Sequence, residues 1–278
     1  NVTKMLSVLM VDFSCALKLA IPIAVLSAMR ESSGYHISVK GGRFLEAVAK
    51  ADTIVFDKTG TLTYATPTVA AVVPFGGHDE AEMLRLAACL EEHYPHSMAN
   101  AVVAEAKRRE LTHEEYHSQV QYLVAHGISS MVEGKKVVIG SAHFVFEDEG
   151  CRIPEGEQDK YNELSAAYSH LYLCVDGELA AVICIHDPLR REARDAIRAL
   201  HKSGFVNVVM MTGDNRRTAE SVAAEVGVDA VFAEVLPEDK ASFIRQEKAK
   251  GHTVIMVGDG INDSPALSEA DAGIAIST

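Results

Sequence analysis

Three short apolar runs in this sequence end in aspartate, each within a turn rich in glycine or threonine. Asp57 follows Ile54-Val55-Phe56, Asp214 follows Met210-Met211-Thr212-Gly213, and Asp259 with Asp263 follows Ile255-Met256-Val257-Gly258. One aspartate in a turn is ordinarily an Asx-turn or a helix cap. Three at successive strand-like ends point to a shared task. In an open parallel sheet ligands bind beyond the carboxyl ends of the strands, and carboxylates there can hold a hard cation through oxygen. Mg²⁺ suits such a site, since it keeps several waters and takes one or two protein carboxylates together with substrate phosphate. A carboxylate that attacks phosphorus also needs its charge repulsion neutralised, and Lys58 and Lys240 are the candidate cations. Thr59 and Thr212 add donors for phosphoryl oxygens.

The elements that position these turns follow from periodicity. Thr53 to Asp57 reads as a strand buried on both faces. Later, helix is predicted over Pro188 to Lys202, strand over Val206 to Met211, helix over Arg216 to Val226, a short strand over Ala230 to Phe232, helix over Lys240 to Lys250 and strand over Thr253 to Val257. That alternation predicts a doubly wound parallel sheet in an α/β fold. The stretch from about Thr66 to Ile185 breaks the pattern. It carries apolar-periodic helices at Ala81 to Leu90 and Asn100 to Arg109, then β-prone runs at Gln119 to Val124, Lys136 to Ile139, Leu171 to Val175 and Leu179 to Ile185. We read it as an α+β insertion, with a loop over Glu147 to Tyr161.

Composition narrows the function. With 26 basic and 39 acidic residues among 278, the net charge of −13 counts against nucleic acid as a partner. A 48% hydrophobic content excludes intrinsic disorder. Five scattered cysteines without a C-x-x-C pair argue against a disulfide framework or structural zinc. From Met5 to Met29 only Asp12 and Lys18 are charged, so residues 1–30 are expected to form a transmembrane helix. Asn1 and the strand-like Gly-Ile-Ala-Ile run just before Thr278 lead us to expect a fragment cut at both ends.

The residues then carry a resemblance. Asp57-Lys58-Thr59-Gly60-Thr61-Leu62-Thr63 resembles the phosphorylation motif of P-type ATPases, Thr212-Gly213-Asp214-Asn215 resembles their TGD motif, and the run from Met256 to Leu267 resembles their GDGIND hinge motif. Asp187-Pro188-Leu189-Arg190 and Lys40-Gly41-Gly42 also fit, in the family's order. The resemblance implies a haloacid-dehalogenase-like phosphorylation domain over 31–65 and 186–278, interrupted by a nucleotide-binding domain over 66–185. It makes Asp57 the aspartyl-phosphate, with Thr59 and Thr212 gripping the phosphoryl group, Gly213 and Asp214 in the same turn, and Lys240 paired to it. Asp259, with Asp57 and Thr59, would hold Mg²⁺, while Asn262 and Asp263 orient the site.

The insertion resembles that of the heavy-metal-transporting subclass. His96 falls at the histidine of its adenine-binding dipeptide, with Ser97 in place of the proline. Glu91 falls where a family glutamate meets adenine, Gly127 ends a turn whose first glycine is replaced by Ala125, and Gly140 opens a pair resembling Gly-Asn. The run Ser14-Cys15-Ala16-Leu17-Lys18-Leu19-Ala20-Ile21-Pro22 resembles the membrane helix bearing the Cys-Pro-Cys site, keeping only Cys15 for the transported ion. One thiolate disfavours Cu(I).

The implied activity is ATP-driven translocation of a metal cation, with ATP and Mg²⁺ as cofactors, membrane lipid as surroundings and the catalytic domains in the cytoplasm of a multi-pass protein. The actuator domain and the other membrane helices are missing from this stretch, so the chain alone is expected to be incomplete for turnover. Two alternatives stand beside it. A soluble phosphatase of the haloacid dehalogenase superfamily would carry a second aspartate two residues after the nucleophile, where this sequence has Thr59. The other is a non-catalytic nucleotide-binding fragment.

Overall fold

The computed structural model describes residues 2–92, 97–111, 117–123, 127–132, 134–260 and 263–276, without the side chains of residues 9, 11–15, 117–123 and 237. The chain divides into two units, Asn1–Ala51 and Asp52–Thr278. In the first, α1 (Val2–Gly34) carries Pro22 within it and is followed by α2 (Gly42–Lys50). A Cβ on Gly42 would lie 2.8 Å from Val25 Cγ1, so the absence of a side chain lets α2 start against α1. Large apolar side chains such as Leu6, Met10, Leu19, Ile23 and Leu26 stay exposed along α1.

No helix among the described residues is long and apolar enough to cross a membrane. The apolar run from Met5 to Met29 crosses residues 9 and 11–15, whose side chains lie outside the described residues, so the transmembrane helix expected over 1–30 is not tested by this. At 1.5 Å rise the 33 residues of α1 reach about 50 Å. Asp12 and Cys15 lie outside the described side chains.

The second unit opens with β1 (Thr53–Asp57), in which every residue is buried. It continues through β2 (Thr68–Pro74), α3 (Glu80–Glu91), α4 (Ser97–Arg108), β3 (His117–Leu123), β4 (Gly127–Val132), β5 (Lys135–Gly140), α5 (Gln158–Asn162), β6 (Ser169–Val175) and β7 (Glu178–His186). Then come α6 (Ala193–Lys202), β8 (Asn207–Met211), α7 (Arg216–Val226), β9 (Ala230–Phe232), α8 (Pro237–Ala249), β10 (Val254–Gly258), α9 (Ser264–Glu269) and β11 (Ala272–Ala275). Among the described residues they make two sheets. One is five-stranded and parallel in the order β11-β10-β1-β8-β9; the other is six-stranded and antiparallel in the order β2-β7-β6-β5-β4-β3.

The parallel sheet puts β1 at its centre, level with β10 on one side and β8 on the other, Phe56 beside Val257 and Asp57 beside Met211. Both faces are covered, which is why these strands read as unbroken apolar runs. Val55, Val209, Met211, Val254 and Met256 form one cluster with Ile244 of α8 and Ala266 of α9.

The antiparallel sheet is also buried on both faces, and the period of two is visible side chain by side chain. Ile139, Leu171, Leu173, Ile183 and Ile185 pack with Leu84 and Leu90 of α3 and Val102 of α4. Their neighbours Val138, Tyr172, Cys174, Val182 and Cys184 face the opposite way, against Phe144, Val145, Cys151 and Leu164. Residues 147–161, expected as a loop, help to cover that second face and end within α5.

Helix α6 starts five residues later than the pattern predicts, at Ala193. The preceding Pro188 and Leu189 are held extended instead: Tyr64 N donates to Pro188 O at 3.1 Å, and Leu189 pairs with Thr63 in an isolated antiparallel bridge. β2, β4 and α2 were not foreseen.

Gly127 pairs with Gly140 across β4 and β5. A Cβ there would sit 2.2 Å from Phe144 Cδ1 and 2.6 Å from Ile139 O. The ring packed over its Cα thus requires glycine whatever the ligand. Gly127→Ala should therefore destabilise the chain by about 1–3 kcal/mol through overpacking, to be read from urea denaturation midpoints at unchanged m-value.

Candidate active site

Asp57, Thr212 and Asp259 emerge at the same end of the parallel sheet because β1, β8 and β10 are in register there. The chain leaves β1 through a tight turn in which Gly60 adopts φ +76°, a conformation that costs a side chain strain. Gly60 N donates to Thr63 Oγ1 at 2.9 Å and closes the turn. Arg190 clamps it from outside, donating from Nε to Thr61 O at 3.0 Å and from Nη2 to Gly60 O at 3.3 Å. A Cβ on Gly60 would lie 3.4 Å from Cβ of Asp259, so the turn brings the β1 and β10 loops together.

Lys240, in the first turn of α8, reaches into this corner. Its Nζ donates to Asp57 Oδ1 at 2.6 Å and to Asp263 Oδ1 at 2.8 Å. All three residues are buried. Asp263 precedes α9 yet makes no side-chain cap there; its carboxylate is turned inward, and Oδ2 has no partner. Burial acts first on Asp57, and the Asp263 and Asp259 charges add to it, so its pKa rises to about 6 against the pull of Lys240. Burial works against the charge of Lys240 as well, but the two carboxylates it bridges hold its pKa above the usual value.

Lys58 does not serve Asp57. Its ammonium is buried in an ion pair with Asp214 and donates to Ser169 Oγ at 2.9 Å. Burial of Asp214 favours its neutral form, but the Lys58 charge and hydrogen bond overcome this and keep its pKa below the ordinary carboxylate range. Asp187 lies near the same pair; burial raises its pKa, and its Oδ1 is without a partner. Thr212 is buried, its Oγ1 accepting from Asp214 N at 3.1 Å and its side chain also bonded to the Asp214 carboxylate, which helps to hold that pKa down. Asn215 caps α7, accepting from Thr218 N at 3.0 Å. Thr59 is half-buried and Gly213 exposed. Asn262 lies outside the described residues.

The donors around Asp57 are hard oxygens. Among the described residues no three His, Cys, Asp or Glu side chains close into a metal cage. Mg²⁺ takes few protein carboxylates and completes its shell with water and phosphate. The unpartnered Oδ2 of buried Asp263 and the mutual repulsion that raises Asp57 are what a cation would relieve.

Of the nucleotide-binding candidates, Glu91 is buried at the carboxyl end of α3, and Gly127 and Gly140 are cross-strand neighbours. His96, Ala125 and His126 lie outside the described residues. Sequence reasoning missed Ser169, a strand residue with no motif around it, and the sharing of Lys240 between Asp57 and Asp263.

A parallel sheet with an acidic turn at each of three neighbouring strand ends and a lysine bridging two of the carboxylates defines a class. A family model of the haloacid dehalogenase-like hydrolases matches residues 51–271, and the chain belongs to that family. Within it, the chain matches the catalytic portion of heavy-metal-exporting P-type ATPases. It is 36% identical over 285 residues to a copper-exporting P-type ATPase of Bacillus subtilis (strain 168), an alignment covering 100% of this chain and 34% of the relative. The chain thus spans about a third of the length of the curated relatives it matches.

Among solved structures, the catalytic domain of the CPx-ATPase CopB-B, described for its conformational changes upon nucleotide binding, superposes with a TM-score of 0.70 at 25% identity. The match covers 89% of this chain and 86% of that one. A zinc-transporting PIB-type ATPase in the E2.Pi state matches at 35% identity and a TM-score of 0.58, over 94% of this chain and 42% of its own.

Two outcomes follow from the buried cluster. Lys240→Met leaves two buried carboxylates without their cation and should destabilise the chain by about 3–5 kcal/mol, measured by urea unfolding near neutral pH. Because the folded-state pKa of Asp57 is raised from 3.8 to about 6, its contribution to stability is greatest below pH 3.8 and is lost as pH rises through 6. Asp57→Asn should therefore gain stability over wild type progressively between those values, with no further gain above, in Mg²⁺-free thermal melts.

Proposed function

We propose that this chain is the catalytic portion of an ATP-driven pump for a heavy-metal cation, working through an aspartyl phosphate on Asp57. The observation that carries this reading is the buried Lys240 bridging Asp57 Oδ1 and Asp263 Oδ1 at the end of the central strand. In this reading a carboxylate oxygen of Asp57 attacks the γ-phosphorus of ATP, the bond to the β-bridging oxygen breaks, and ADP leaves with its electron pair. Lys240 offsets the charge of the nucleophile, and the hydroxyl of Thr212 and the turn at Thr59 donate to the phosphoryl oxygens. Mg²⁺, held by Asp57, Asp259 and the carbonyl of Thr59, would supply charge neutralisation between nucleophile and phosphate. Asn262 and Asp263 orient that corner. Glu91, His96, Gly127 and Gly140 are assigned to the adenine end of the nucleotide.

The haloacid dehalogenase-like family also includes phosphatases, but Thr59 stands where those would use a second aspartate as general acid. Without that acid, an acyl phosphate persists, as coupling to transport requires. Residues 1–30 would then correspond to a membrane stub, 31–65 and 186–278 to the phosphorylation domain, and 66–185 to the nucleotide domain. The remaining helices and the actuator domain lie in the rest of a multi-pass protein whose catalytic parts face the cytoplasm. The exposed apolar side chains of α1 suit lipid or neighbouring helices, and Cys15 is assigned to the path of the transported ion.

The test is an acid-quench assay with γ-labelled ATP and Mg²⁺. A hydroxylamine-sensitive label on the wild-type chain that disappears in Asp57→Asn is expected; a wild-type chain unlabelled at every Mg²⁺ concentration would favour the inert nucleotide-binding reading. His96→Ala should weaken ATP binding and leave labelling by acetyl phosphate intact.

A further inference from the structure

The inserted antiparallel sheet reaches the catalytic turns through the first residues of β6. Ser169 Oγ accepts from Lys58 Nζ at 2.9 Å, and both residues are buried. His170 receives a second contact: Asn215 Nδ2 lies 3.0 Å from its Nδ1, while its Nε2 lies 3.0 Å from Ser165 O. Since Ser165 O can only accept, Nε2 carries the proton and Nδ1 is the acceptor for the Asn215 amide. Beside them Thr218 Oγ1 donates to Tyr168 O at 2.9 Å, and Arg217 donates to Asn162 O. Four hydrogen bonds thus run from Lys58, Asn215 and the first turn of α7 to residues 162–170.

We propose that Ser169 is a positioning residue for phosphoryl transfer, and that with His170 it forms a clasp through which the inserted domain sets the Lys58–Asp214 pair beside the nucleophile. The proposal rests on the reading of Asp57 as the phosphorylated residue. A buried ammonium needs an acceptor for each of its protons. Asp214 takes one and Ser169 another, and the second comes from a different sheet. When β6 is docked, Lys58 is fixed, and with it the backbone that carries Asp57 on one side and Thr59 on the other. When β6 is withdrawn, Lys58 loses an acceptor and the Asn215 amide loses the imidazole, so the turn at Thr212-Gly213-Asp214 is freed as well. The clasp touches no substrate; it acts through Lys58 and Asn215.

The test uses the whole chain, with single-turnover formation of the acid-stable, hydroxylamine-sensitive phosphoenzyme. Two donors are compared at saturation, ATP and acetyl phosphate, alongside ATP affinity and thermal midpoint. Ser169→Ala is expected to slow labelling about tenfold or more with both donors at unchanged ATP affinity, and Ser169→Thr, which keeps the hydroxyl, to recover most of the rate. His170→Ala should show the same donor-independent loss and decides the matter by itself if the threonine variant does not fold. Unchanged rates in Ser169→Ala and His170→Ala, or a loss confined to ATP with weakened affinity, would overturn the clasp. A loss that merely tracks the unfolded fraction would do so too. A wild-type chain that takes no label, or an Asp57→Asn chain that keeps it, sinks the underlying reading instead.

Discussion

The active end of this protein depends on one lysine shared by two buried carboxylates. Taking a single charge out of water is costly, and a second like charge beside it raises the cost further. Asp57 and Asp263 tolerate each other only because Lys240 Nζ stands within hydrogen-bond distance of both. The rest of the fold arranges that meeting. β1 delivers Asp57 to the sheet edge, the turn after β10 delivers Asp263, and α8 begins at Pro237 so that Lys240 falls in its first turn. The cluster still carries more negative than positive charge. That surplus raises the pKa of Asp57 and leaves one oxygen of Asp263 unpartnered, the electrostatic condition into which Mg²⁺ and a phosphate group fit.

A second charged pair, Lys58 with Asp214, lies beside the first and is tied differently. The first draws only on the parallel sheet and its helices. The second draws an acceptor from the inserted sheet, so a buried ammonium links the two sheets. Polar contacts of this kind release more readily than a large hydrophobic interface, because each partner can be satisfied by water once it is exposed.

Much of this could be read beforehand. The three Asp-bearing turns, the parallel sheet between them and the α+β insertion all follow from apolar periodicity and from turn residues, which are local properties of the chain. Less legible were elements whose form depends on distant partners. Pro188, Leu189 and Arg190 were read as the start of a helix, but the pairing of Leu189 with Thr63 and the clamp of Arg190 on Gly60 and Thr61 hold them out of it. Gly127 was read as a nucleotide contact; the ring of Phe144 lying over it gives the residue a packing reason as well. The apolar run near the amino terminus suggested a membrane span, and it crosses residues 9 and 11–15, whose side chains lie outside the described residues.

The amino-acid sequence by itself determined where carboxylates, lysines and glycines stand along the chain, and so the chemistry available and the strands that carry it. Tertiary structure alone decided which cation serves which anion. Lys58 adjoins Asp57 in sequence yet pairs with Asp214, 156 residues away, whereas the ammonium on Asp57 comes from Lys240, 183 residues away. Lys58 opens the turn after β1 ends at Asp57, and its side chain runs to Asp214 and Ser169. Sheet register and helix docking, which no local pattern encodes, bring Lys240 to Asp57.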